Sequence, residues 1–276
     1  MNIRILQVMV SCLLMVGWVL KAQAQAIPSY VDEINYSVDI SHVNDGGIGF
    51  TPNKIASDYV NGTSPNSTIS PAQIIAVSGA NIDGFHQDID GNTYFSFDAD
   101  TRVNGFSVLK SDIIRCNDFN CDSFSFIFSA VSRNFQHINI DAFTFDSENG
   151  DLIFSVDSAT DIEGSGYFPA DMIRFDGSDY SLEYNAINAA DGIGAYKNIN
   201  AISMLTTGEY GISLEEDGDY KGEFSYDNHW ILKFAPKSHS WQLFYTILDF
   251  GDFENPLKIT SLMIQENDLI FRHGFD

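Results

Sequence analysis

Four short segments of this chain spell one pattern at a near-constant interval. Tyr36-Ser37-Val38-Asp39, Phe95-Ser96-Phe97-Asp98, Phe154-Ser155-Val156-Asp157 and Ile212-Ser213-Leu214-Glu215 begin at residues 36, 95, 154 and 212. A degraded fifth copy begins at Phe271. A fixed period of 58–59 residues means one supersecondary unit copied in tandem, none of whose copies can bury its apolar faces alone. The fold question reduces to what one unit is.

The unit is most legible between residues 140 and 186. Ile140-Asp141-Ala142-Phe143-Thr144-Phe145 alternates apolar and polar residues, as a half-buried strand does. Asn149-Gly150 marks a turn. Asp151–Asp157 is a second strand, followed by a longer loop holding Gly164, Gly166 and Pro169. Met172-Ile173-Arg174-Phe175 and Tyr180-Ser181-Leu182-Glu183-Tyr184 are the third and fourth strands. Called a, b, c and d, these strands recur: strand a begins at Ile82, Ile140, Ile199 and Ile259. Val, Ile, Phe, Tyr and Thr fill them, which suits a pleated and packed surface.

Four short antiparallel strands per repeat are the composition of a β-propeller blade. A stacked β-solenoid is the competing architecture, but its repeats are usually shorter and its strands parallel. The expected fold is therefore all-β, a propeller of about four four-stranded blades, with five as the alternative. The repeat starts at strand b near the N-terminus, so strands from the two ends are expected to share a blade and remove exposed edges.

The first residues stand apart. Arg4 precedes an apolar run from Val8 to Leu20, and the small residues Ala22-Gln23-Ala24-Gln25-Ala26 follow. This order is that of a secretory signal peptide over residues 1–26, leaving 27–276 as one β-propeller domain and implying a secreted or periplasmic protein. Cleavage leaves Cys116 and Cys121, five residues apart, as an expected disulfide in an oxidising compartment. It also leaves 12 basic against 38 acidic residues. A surface so acidic repels nucleic acid and anionic lipid and attracts cations and basic partners. No other stretch is long and apolar enough for a membrane span, so no integral insertion is expected after cleavage.

The copy at 139–186 also resembles a known unit. Asn139-Ile140-Asp141-Ala142-Phe143, Gly150–Asp157, Pro169–Gly177 and Tyr180–Tyr184 are similar to a VDAL, DG-LLFSFD, DVVRYDG, FSLYFDG repeat of exported bacterial β-propeller-like proteins. The likeness is close there, fair at 81–130 and weaker at 198–247, where Trp230 stands at the phase of Asp171. It implies a propeller and export, and it transfers no catalytic residue.

Three constellations carry possible chemistry. Asp39, Asp98, Asp157 and Glu215 recur at the end of strand b, and around a rotation axis they would form a ring able to hold calcium through hard oxygen ligands. The competing expectation is structural: Arg115, Arg174 and Lys233 follow three of these acids by 17, 17 and 18 residues, so Asp98–Arg115, Asp157–Arg174 and Glu215–Lys233 would pair within a blade. Asp39 has Ala56 at the basic phase and would lack a partner. Asp83, Asp141 and Asn200 share one phase of strand a, as channel-lining residues or as turn caps. Trp230 and Trp241, with Tyr226 and Tyr245, are candidates for stacking on a ligand or for packing between blades.

No G-x-S-x-G and no H-E-x-x-H occurs, which removes the commonest hydrolase and zinc signatures. The expected function is a binding or surface-interaction module for a protein, a glycan or a cell-envelope component. The alternatives are a carbohydrate-active hydrolase using carboxylates in a central channel, and a structural matrix component. Carboxylates about 5–10 Å apart in a deep axial pocket would mark the hydrolase.

Overall fold

The computed structural model describes residues 31–39, 42–43, 49–50, 55–59, 67–69, 80–117, 121–133, 135, 137–186, 193, 197–221, 223–246 and 258–266. The expected leader and the degraded copy at Phe271 lie outside them. The first repeat supplies β1 (Val31–Val38), the short pair β2 (His42–Val43) and β3 (Gly49–Phe50), then β4 (Ile55–Tyr59) and β5 (Ser67–Ile69). The second supplies β6 (Ile82–Gln87), β7 (Thr93–Phe97), the pair β8 (Thr101–Val103) and β9 (Phe106–Val108), then β10 (Ile113–Cys116) and β11 (Phe124–Phe128). A single helical turn, α1 (Ala130–Arg133), follows. The third supplies β12 (Ile140–Phe145), β13 (Leu152–Val156), the pair β14 (Thr160–Ile162) and β15 (Ser165–Tyr167), then β16 (Met172–Phe175) and β17 (Tyr180–Tyr184). The fourth supplies β18 (Ile199–Met204), β19 (Tyr210–Leu214), the pair β20 (Gly218–Tyr220) and β21 (Phe224–Tyr226), then β22 (Trp230–Ala235) and β23 (Ser240–Thr246). Strand β24 (Ile259–Glu266) completes the described chain.

Strands a, b, c and d of one repeat form one antiparallel sheet: β6-β7-β10-β11, β12-β13-β16-β17 and β18-β19-β22-β23. The first sheet is β24-β1-β4-β5, so its strand a comes from the far end of the sequence. The expected loop between strands b and c is a two-stranded hairpin in each repeat. Asn104-Gly105 and Glu163-Gly164 turn two of these hairpins with positive φ at both residues, the geometry that matches strand twist.

The four inner strands pack in a cycle: β6 on β12, β12 on β18, β18 on β24 and β24 on β6. Polar side chains link them at both ends. At one end Asn139 donates to Asp83 (2.7 Å), Ser155 to the Ile199 carbonyl (2.9 Å), Asn200 to the Ile259 carbonyl (3.1 Å) and Thr260 to the Ile82 carbonyl (3.1 Å). At the other end Thr144 meets His86 (3.4 Å), Met204 N donates to Thr144 (3.3 Å), Ile264 N to Ser203 (2.9 Å) and Gln87 N to Met263 Sδ (3.2 Å). The polar positions of strand a are therefore not solvent-facing, as its alternation suggested. Asp141 and Thr144 are buried because each serves a neighbouring sheet.

Apolar side chains fill the seams. Phe128, Phe154 and Phe175 belong to one cluster joining the second and third sheets. Tyr184, Phe234 and Trp241 belong to another, joining the third and fourth. The inner strands approach closely enough to dictate residue size. A Cβ on Gly84 would overlap the Phe143 ring and the Ser96 hydroxyl, whereas Ala142, Ala201 and Ser261 hold the same place in the other sheets. Gly84→Ala is expected to cost about 1–3 kcal/mol by overpacking. Adding Phe143→Ile, the residue of the fourth repeat at Ile202, should recover part of that loss. Urea denaturation of both single variants and the double variant checks the coupling; additive losses would rule out the ring as the cause.

Candidate functional site

The register explains why one phase of strand a carries functional-looking residues. Ile82 and Gly84 pair with Phe97 and Ser96, Ile140 and Ala142 with Val156 and Ser155, and Ile199 and Ala201 with Leu214 and Ser213. Asp83, Asp141 and Asn200 are thus the extra residues of three equivalent β-bulges, and Thr260 holds that place in the first sheet. A bulge re-aims the side chain of its extra residue. Here it turns each toward the neighbouring inner strand.

Asp83 and Asp141 are brought together by this device. Both are buried, and the Asp141 carboxyl is within hydrogen-bonding reach of that of Asp83. Asn139 donates to Asp83 at 2.7 Å and Asn198 to Asp141 at 2.6 Å. Burial raises Asp83 well above the usual carboxylate range, and the adjacent Asp141 adds to it against the pull of Asn139. Burial raises Asp141 to about 7, opposed by the Asn198 hydrogen bond and reinforced by Asp157 and Glu215. The pair therefore holds a proton near neutral pH. Carboxyls that touch leave no room for the water or the glycosidic oxygen that glycoside hydrolysis places between them. These two do not form the axial cleft expected of the hydrolase.

The strand-b acids are each engaged separately. Asp39 accepts from Lys258 N at 2.9 Å. Asp98 accepts from the Asn81 backbone and amide, both at 2.7 Å. Asp157 accepts from Ser158 and lies 3.9 Å from Lys110. Glu215 accepts from Asn198 at 3.2 Å and from Lys258 Nζ at 3.0 Å. Among the described residues no three His, Cys, Asp or Glu side chains converge as a metal site would.

The basic residues following these acids go elsewhere. Arg174 pairs with Asp146 (2.7 Å), Asp151 (2.9 Å) and Glu183 (2.9 Å), and Lys233 pairs with Glu209 (3.1 Å). Register is the reason: Arg174 lies across from Ile153 and Lys233 across from Gly211. Both therefore sit near the start of strand b, away from the acid at its end.

Cys116 and Cys121 form the expected disulfide, clasping the β10–β11 turn. Trp241 is 4% exposed and packs on Tyr184 and Phe234, so it cements a seam and is closed to ligands. Trp230 is half-buried, and its indole donates to His229 at 3.1 Å. Tyr226 is also buried.

Sequence reasoning passed over other side chains with roles. Asp112 and Asp171 are buried ahead of strand c, and each clamps two backbone amides: Leu109 and Ala130 for the first, Phe168 and Ala186 for the second. Asn81, Asn139 and Asn198 recur just ahead of strand a, a spacing that marks them as readily as it marked the acids they bind.

Exposed apolar surface is concentrated in the second repeat. Among the described residues the exposed large hydrophobics are Ile89, Phe106, Phe126, Ile127, Val131 and Leu182, and five of these six lie between 89 and 131. Phe106, Phe124 and Phe126 touch edge to face in succession. A recess of about 720 Å³ runs beside the β8–β9 hairpin, lined by Asp100, Arg102, Asn104 and Ser107 among others. A second cavity of about 460 Å³ opens at the seam of the second and third sheets, lined by His86, Tyr94, Ile127 and Phe145 beneath Asp88 and Asp146.

Among the described residues no helix is long and apolar enough to cross a membrane. No protein-family model and no curated protein matches this sequence. Several solved structures are similar. Virginiamycin B lyase from Staphylococcus aureus matches at 14% identity and TM-score 0.29, over 79% of this chain and 60% of that one. The β-propeller domain of Cps50 (Swd1) from Myceliophteria thermophila matches at 9% and 0.33, over 79% and 86%. A chain of a nidogen–laminin complex matches at 9% and 0.40, over 85% and 98%. The chain spans 60% of the lyase and 26% of the extracellular domain of BT4673 from B. thetaiotaomicron. Likeness at this level carries over neither a residue's role nor an activity.

Proposed function

We propose that this chain is an exported four-bladed β-propeller, residues 27–276 after loss of 1–26, acting as a binding module through its second repeat. The propeller reading is supported by the cycle of inner strands and by β24 joining β1 in one sheet. The export reading is supported by the leader-like residues 1–26 and by a disulfide, which persists in oxidising compartments.

The observation that carries the binding reading is the exposed apolar strip on one repeat. Phe106 is 66% exposed and Phe126 44%, on a protein with 38 acidic residues to keep it soluble. Position Phe106 is Ser165 in the third repeat and Phe224 in the fourth, where the ring is partly buried against Tyr220. A ring is therefore not obligatory there, and the one in the second repeat is left exposed. Exposed rings in a polar surround mark partner contacts. The partner is a protein, a glycan or a cell-envelope component.

A Phe106→Ser/Phe126→Ser variant is expected to keep its melting temperature and lose binding by about 10-fold or more. The measurement compares both proteins on a glycan array and on immobilised envelope proteins. Equal binding by the two forms would sink the reading.

A further inference from the structure

The seams between sheets are not alike. Between the third and fourth sheets, Tyr210 at the start of β19 donates to Glu183 at 2.8 Å, and Arg174 bonds the other Glu183 oxygen at 2.9 Å. Glu183 is the extra residue of a bulge in β17, since Met172 and Ile173 pair with Tyr184 and Leu182. A buried tyrosine, a carboxylate and a guanidinium therefore close that seam. Between the second and third sheets the same two positions are Leu152 and Ile127; Ile127 is the bulge residue of β11. Neither can make the link, and here the cavity of about 460 Å³ stands open. That size falls within the usual span for ligand clefts, about 300–1,000 Å³.

Its walls are apolar. His86, Tyr94 and Phe145 stand in mutual contact with centroids 4.9–5.8 Å apart. Burial pushes the His86 imidazole down to about 4, against the pull of Asp88, so it is neutral at physiological pH. Ile89 is 98% exposed at the tip of the β6–β7 turn and lines the same cavity. The third and fourth repeats carry Ser147 and Thr206 at that position. A turn does not call for an isoleucine, and an exposed one beside an open apolar cavity has no folding role.

The rim is acidic. The β6–β7 turn carries Asp88 and Asp90, and the β12–β13 turn carries Asp146, Glu148 and Asp151. Asp88 accepts from Asp90 N, Asn92 N, Asn92 Nδ2 and the Tyr94 hydroxyl at 2.8–3.0 Å. A carboxylate has about four acceptor positions, so Asp88 has none left for the hydroxyls of a sugar. It keeps its charge. Arg174 offsets Asp146 and Asp151, and Arg115 reaches Tyr94 beside Asp88, so five acids on the two turns stand against two cations.

We propose that the seam cavity seats one large apolar side chain of a peptide whose flanking residues are lysine or arginine. Charge complementarity selects the flanks, and the walls select the anchor. The proposal rests on the binding-module reading and narrows its partner to a basic protein segment.

The test is a fluorescence titration of the mature protein with labelled, end-blocked pentapeptides containing Lys-Phe-Lys, Glu-Phe-Glu or Lys-Ser-Lys. Saturable binding of the first is expected, with affinity about 10-fold or more above the other two, and it should weaken as salt is raised. Ile89→Ser and Ile127→Glu place at each site the residue type of the third repeat, and each should weaken Lys-Phe-Lys binding about 5-fold or more. Ile127→Glu adds a negative charge, so a loss there cannot come from weaker attraction. Equal affinity for Lys-Phe-Lys and Lys-Ser-Lys, or no change on Ile127→Glu, overturns the proposal. If the peptides fail while the Phe106→Ser/Phe126→Ser variant still loses a partner, this inference falls and the broader binding reading stands.

Discussion

A chain truncated after residue 257 is expected to lose cooperative folding altogether. Strand β24 is the inner strand of the first sheet and pairs with β1 along Val31–Val38. It also packs on β6 and β18, so its removal opens the cycle at two contacts. Ile259, Leu262 and Ile264 would be lost from a cluster that includes Val31, Tyr36, Ala201, Leu205 and Ile231. Each such side chain contributes about 1.5–3 kcal/mol by burial. Three of them, with the β1 ladder and the Thr260 and Ser261 hydrogen bonds, approach the whole stability of a typical domain, about 5–15 kcal/mol. The check is thermal melting by near-ultraviolet circular dichroism, with the peptide 258–276 added back. A sharp transition in the truncated chain alone would show that the remaining sheets are self-sufficient. Restoration of the transition by the peptide would show that β24 acts as a closing strand.

Much of this frame was legible in the sequence. The near-equal spacing of Ser37, Ser96, Ser155 and Ser213 marks a repeat, and strands a to d stand where alternation places them. The two-stranded hairpins were missed because three residues are too few to show a period. Asn104-Gly105 is the turn signal that the sequence offers for one of them. The charge pairing failed for a related reason. A spacing of 17 residues fixes a phase but not a register, and register puts Arg174 opposite Ile153. Asp83, Asp141 and Asn200 share one phase that the sequence displays, yet nothing in a linear sequence says that a bulge will set Asp83 against Asp141. The seam cavity was hidden more deeply. It lies at the seam where Ile127 and Leu152 stand in place of the Glu183 and Tyr210 of the next seam, which becomes visible only when the seams are compared in space.

Asp141→Asn is expected to stabilise this protein at pH 8 and not at pH 4.5. The pH dependence of the unsubstituted protein also carries His86, whose lowered value favours the fold as pH rises from about 4 to 6.5 and so opposes the carboxyls. In the folded chain Asp141 titrates at about 7 against an ordinary 3.8, and Asp83 is raised as well. A carboxyl whose folded value is raised costs nothing below the ordinary value, where both states are protonated. Its cost grows between the two values and is complete above the folded one. The unfavourable window therefore begins near 4 and, for Asp141, is complete just above 7. The shift of Asp141 corresponds to a cost on the order of 4 kcal/mol above that point. The fourth repeat already holds an amide at this phase, Asn200, whose Nδ2 donates to the Ile259 carbonyl. An asparagine at 141 can still accept from Asn198 and can donate to Asp83, leaving one charge where two compete. At pH 8 the substitution should stabilise the protein by about 2 kcal/mol, half the full cost, because Asp83 stays buried. At pH 4.5 the gain should vanish. Melting temperatures of both forms at the two pH values decide the matter. An Asp141→Asn variant no more stable than the wild type at pH 8, or stabilised equally at pH 4.5 and 8, would show that the two carboxylates ionise without conflict.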